Sequence, residues 1–148
     1  MQFGWINAVN AAFVVLLIVF STVGQKKSGL PPMKSKHKLL NISEQLGRYA
    51  CMVLMIVPLL SGFEFGFASS GRMVAWLVLS PLFLLCYALL WTQASKGGKV
   101  WFGLAVVPAL LFLCCGLLLR HPALAAAAVL FGVSHTLVVR ETAQTGKE

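Results

Sequence analysis

The sequence predicts an all-α integral membrane protein, a bundle of five transmembrane helices with its N-terminus outside and its C-terminus cytoplasmic. Three observations carry that expectation. Hydrophobic residues make up 59% of the 148 residues and charged residues only 11%, and the mean hydropathy of +0.86 is far above the soluble range. The apolar residues gather into five runs, each close to the ~20 residues that cross ~30 Å of hydrocarbon. The basic residues, finally, are concentrated in alternate loops. That bias accounts for the net charge of +8 by the excess of Lys and Arg on the cytoplasmic side, so no nucleic-acid partner is expected.

The whole chain reads as a single transmembrane domain. Its first span covers residues 5–23, and Asn7, Asn10, Val14, Leu17 and Ser21 recur on it at helical spacing. Two amides in a lipid-soluble helix are expected to turn inward. The segment has no basic n-region, and Lys26 and Lys27 follow it, so it is expected to stay as an anchor rather than be cleaved. Residues 25–38 form a basic loop with Lys26, Lys27, Lys34, Lys36 and Lys38, interrupted by Pro31-Pro32. Anionic headgroups would attract it.

The second span, residues 44–63, organises the rest. A helix starting near Lys36 and reaching Phe63 would be about 40 Å long, with its first turns outside the hydrocarbon. Glu44 and Arg48 stand four apart in the acid-before-base order that favours pairing on a helix. Arg48 lies about a turn inside the span, where it needs a partner or a task. The third span covers 73–92, with Trp76, Ser80, Phe83, Tyr87 and Trp91 along one face. The fourth covers 100–119. The fifth, 123–139, offers Ala128 and Gly132 for a close crossing and carries His135 a turn from its end. Pro58, Pro81 and Pro108 fall near mid-depth of three spans. Each would remove a backbone donor, a pattern compatible with an internal cavity.

Lysines crowd the loops after spans one and three, whereas the loops after spans two and four are nearly neutral; this sets the orientation. Threaded through it, the polar residues form two candidate ligand-binding groups. The inner group is Asn41, Glu44, Gln45, Arg48, Tyr49 and His135; the outer group is Asn7, Asn10, Glu64, Arg120 and His121.

No catalytic residue is assigned, and neither a metal nor a cofactor is expected. Cys51, Cys86, Cys114 and Cys115 all lie in apolar spans without a CxxC, and buried cysteine behaves as a small hydrophobe. There is no HExxH, GxSxG or P-loop. His121 and His135 are about 20 Å apart by helical rise, too far to share one metal.

Two resemblances follow from particular residues. Arg120-His121-Pro122 is similar to the RHP tripeptide of the isoprenylcysteine and phospholipid methyltransferases, where Arg and His sit in the S-adenosylmethionine site. Here one helix rather than a hairpin follows, and Leu124 stands where an aromatic is expected. Across nearly its full length the chain resembles an uncharacterised group of small five-span bacterial integral membrane proteins. The segments that carry this are WINAVN at Trp5–Asn10, NISEQLGRY at Asn41–Tyr49, EFGF at Glu64–Phe67, LLRH at Leu118–His121 and FGVSH at Phe131–His135. That likeness implies the bacterial inner membrane and no particular activity. Three function classes are left by the residues: binding or transport of a small polar or anionic molecule, an accessory or scaffold role, and a membrane enzyme acting on a lipid or isoprenoid. A 16.0 kDa bundle has little room to enclose a pathway alone, so membrane lipids and a second copy of the chain are the expected partners.

Overall fold

The computed structural model describes residues 3–30, 33–59 and 65–145. Among these it is all-helical: α1 (Phe3–Ser28), α2 (Lys38–Ile56), α3 (Ser70–Ser95), α4 (Trp101–Leu118) and α5 (Pro122–Thr145). Four of them, α1, α3, α4 and α5, are long and apolar enough to cross a membrane.

α2 departs from expectation. It ends at Ile56 instead of continuing toward Phe63, and residues 60–64 lie outside the described chain. The cause is Pro58. The residue before a proline is pushed out of the helical region, and Val57 is extended at φ −114 and ψ 118. Pro58 therefore terminates a helix rather than kinking one. Pro81 and Pro108 do lie inside α3 and α4.

The other helix ends follow local chemistry. Lys26 and Lys27 occupy the last turn of α1, where cations suit the helix dipole, and Gly29 follows in the left-handed region at φ 62. Ser69 caps α3 by accepting from the Arg72 backbone N–H. α3 closes with a Schellman turn: Gly98 N–H donates to Gln93 C=O and Gly97 N–H to Ala94 C=O, each at 3.0 Å. Gly97 takes the left-handed position, φ 80. α5 continues as helix through Arg140 and Glu141 to Thr145.

The helices form a closed ring in the order α1, α3, α4, α5, α2 and back to α1, with α1 and α2 the least closely packed neighbours. Close crossings occur where a side chain is missing. A Cβ on Gly47 of α2 would stand 3.0 Å from Phe131 Cα of α5, and one on Gly132 of α5 would stand 3.1 Å from Ala109 Cβ of α4. Gly24 of α1 lies under the Trp91 indole of α3; a Cβ there would be 2.3 Å from the ring. The aromatic face read on the third span packs inward, with Trp76, Ser80, Tyr87 and Trp91 all buried.

The contacts put one end of every helix on a common side. Lys26, Lys27, Lys34, Lys36, Lys38, Lys96, Lys99 and Arg140 gather there, whereas Arg72 and Arg120 belong to the other end.

Candidate functional site

The basic end of the ring encloses a cavity of about 450 Å³ walled by all five helices. Ser21, Thr22 and Gln25 come from α1, and Gln45, Arg48 and Tyr49 from α2. α3 supplies Tyr87 and Trp91, α4 supplies Pro108 and Phe112, and α5 supplies Phe131 and His135. Lys34, from the basic loop, stands at its rim. Pro108 cannot donate to the Leu104 carbonyl, and both residues line this space. The proline expected to accompany a cavity in the fourth span is thus in its wall.

Behind the wall sits Glu44, 3% exposed. Its Oε1 accepts from Arg48 Nη2, four residues along the same helix, and lies 3.1 Å from His135 Nδ1 on α5. An ionised carboxylate only accepts; the Nδ1 hydrogen therefore points at Glu44, and Nε2 is the ring nitrogen that Glu44 does not engage. The His135 ring also stacks on Phe131 at 4.9 Å between centroids. Gly47 makes this possible. By letting α2 come down on the Phe131 backbone, it brings Glu44 within reach of His135.

Of the inner candidates, Gln45, Arg48, Tyr49 and His135 line the cavity, and Glu44 holds two of its groups in place. Asn41 does not join them. Its side-chain carbonyl accepts from the Ser35 backbone N–H and its amide donates to the Ser35 carbonyl, both at 2.8 Å. Ser35 Oγ in turn donates to Glu141 Oε2. Asn41 is thus a clasp between the basic loop, α2 and the end of α5.

The outer candidates divide. Asn10 is completely buried on α1, and neither side-chain polar atom has a partner among the described residues. Asn7 Oδ1 is in the same condition. Glu64 lies outside the described residues. Arg120 and His121 form the turn between α4 and α5. Arg120 is left-handed, φ 56. His121 N–H donates to Gly116 C=O at 2.7 Å and Arg120 N–H to Leu117 C=O at 3.4 Å, a Schellman motif with arginine where glycine is usual. His121 is at once the N-cap of α5: its Nδ1 accepts from the Leu124 N–H at 3.2 Å, with Pro122 at the first helical position. The RHP tripeptide is accounted for by turn chemistry.

Burial holds the His121 imidazole below its ordinary range. Phe65 meets its ring edge-on at 5.9 Å. No group of three or more His, Cys, Asp or Glu able to hold a metal occurs among the described residues.

Tyr87 and Trp91 belong to the aromatic face read on the third span, and Ser21 to the face read on the first; Thr22 and Gln25 lie off that face, and sequence reading missed them as cavity walls. The chain matches no protein-family model, no curated protein and no solved structure.

Proposed function

We propose that the chain is a five-span membrane protein whose basic-end cavity binds a small polar or anionic molecule, as a carrier or transporter does. The observation that supports this best is the charge of the wall. Arg48 and Lys34 line the cavity, and among the described residues no carboxylate does. Glu44 lies behind, its Oε1 already shared between Arg48 and His135. Arg48 gives one nitrogen to Glu44, and a guanidinium carries five donors in a fixed fork. The rest of that fork suits an anion in the cavity.

α2 supports the fifth span by an inverted pattern. Its charged pair turns into the protein, while Leu39, Ile42, Leu46, Tyr49 and Val53 form its exposed stripe. That arrangement faces lipid, and 19 residues extend about 28 Å. The basic end supports a cytoplasmic C-terminus and an external N-terminus, in a bacterial inner membrane.

A scaffold role is favoured by a different observation, the internal engagement of Asn41, Ser35 and Glu141. Native mass spectrometry of the gently purified protein separates the two. Under the binding reading, wild type and Arg120→Ala retain a reproducible anionic adduct, and folded Arg48→Gln loses it. Identical spectra for all three, with no selective adduct, favour the scaffold. The same masses report whether the chain is the homo-oligomer proposed from its size.

A further inference from the structure

The cavity opens sideways as well as toward the basic end. Ile18, Thr22 and Gln25 on α1 and Gln45 and Tyr49 on α2 line it and are also exposed on the outside of the ring, Tyr49 by 62%. These residues flank the α1–α2 seam, where the ring is least tightly closed. In a bilayer such a seam meets lipid. The cavity is also polarised along the helix axes. Gln25, Lys34 and the Arg48 head beside Glu44 lie toward its basic end, whereas Leu17, Met52, Phe112 and Phe131 lie farther from that end along their helices and make an apolar floor. A hydrated inorganic anion gains nothing from that floor, but a hydrocarbon chain does.

We propose that the ligand is an anionic amphiphile, a phosphate or carboxylate head on a hydrocarbon chain, which enters from the surrounding leaflet through the α1–α2 seam. The head meets Arg48 and Lys34 in charge-assisted hydrogen bonds; the chain lies on the floor and passes out beside Tyr49 and Met52. Tyrosine suits that place, with an apolar ring and a polar tip at headgroup level. This inference rests on the anion-binding reading above and specifies its ligand.

The test uses the full chain in mixed micelles containing equal amounts of phosphatidic acid and phosphatidylcholine, read by native mass spectrometry, with glycerol 3-phosphate added as a competitor. The inference expects one phosphatidic acid per chain, retained at least tenfold over phosphatidylcholine and not displaced by glycerol 3-phosphate. Retention should fall several-fold in Lys34→Glu, an exposed loop change that leaves the bundle intact, and further in Arg48→Gln. If glycerol 3-phosphate displaces the lipid at equal concentration, the hydrocarbon chain adds nothing to binding; the amphiphile inference is then overturned while the anion reading stands. If neither anion binds selectively, both are overturned. Equal retention in wild type and Lys34→Glu with Arg48→Gln would place the lipid elsewhere and also overturn the inference.

Discussion

Glu44 and His135 meet at 3.1 Å across 91 residues of chain. Their contact fastens α2, the most polar helix, to the last one. Arg48 shares the same carboxylate oxygen, so two cavity groups are aimed by a single buried acid. Replacing His135 with Phe keeps an aromatic ring near Phe131 but removes a hydrogen bond to a buried charge. Such bonds are worth about 1.5–3 kcal/mol. His135→Phe should therefore lower the thermal midpoint in detergent, and Glu44→Gln/His135→Phe should lose less than the two single changes added together. Strict additivity would mean that the two side chains are not coupled.

Arg120 offers a cleaner backbone measurement. Its φ of 56 is a conformation that costs an L-residue about 1–2 kcal/mol and glycine almost nothing. Arg120→Ala and Arg120→Gly both delete the side chain, so their difference isolates the turn. The glycine variant should be the more stable by about 1 kcal/mol. Equal stability would show that the left-handed turn is not kept in solution.

His121 makes the same turn sensitive to acid. Its Nδ1 caps α5 as an acceptor, and protonation converts that acceptor into a donor. Burial lowers the folded imidazole below its ordinary value of 6.5. The unfolded state therefore takes up protons first as pH falls, and stability rises with pH. The His121 contribution is complete above about pH 6.5 and is lost as pH falls through the lower folded value. A lost N-cap costs about 1 kcal/mol. His121→Asn, a cap that does not titrate, should flatten this part of the pH–stability profile relative to wild type. Parallel profiles would assign the titration to other groups.

Gly116 sets how closely α4 and α5 approach. A Cβ there would lie 2.7 Å from the Ala125 backbone nitrogen, and backbone cannot rotate away as a side chain could. Gly116→Ala should destabilise the hairpin by about 1–3 kcal/mol through overpacking, seen as a lower thermal midpoint. Gly4→Ala, with nothing within 4 Å, is the control. Equal midpoints for the two variants would contradict the close crossing.

Much of this arrangement was legible in local sequence terms, and the rest depended on long-range geometry. The Glu44–Arg48 pair follows from helical spacing, and the Trp76–Trp91 face from periodicity. Pro58 was visible, but its effect was not: Pro81 and Pro108 lie inside continuous helices, whereas Val57 adopts an extended backbone and the helix stops before Pro58. Asn41 shares a helix with Arg48, yet the fold of the basic loop turns it toward Ser35. His121 and Arg120 looked like a site because they are polar residues in an apolar setting. Turn geometry explains both. His135 reaches Glu44 only because Gly47 lets α2 approach Phe131, a relation between residues far apart in the chain.

The central claim is that an anion is held in the cavity against Arg48, and Trp91, a wall residue 8% exposed, can report it. Iodide is both an anion and a quencher of indole fluorescence. The measurement compares iodide with caesium quenching in wild type, Trp91→Phe and Arg48→Gln, the Trp91 signal being the difference between the first two. The account predicts that iodide quenches Trp91 with a saturating dependence, that caesium does not, and that Arg48→Gln abolishes the saturation. Linear quenching of Trp91, equal for both ions and unchanged in Arg48→Gln, would contradict it.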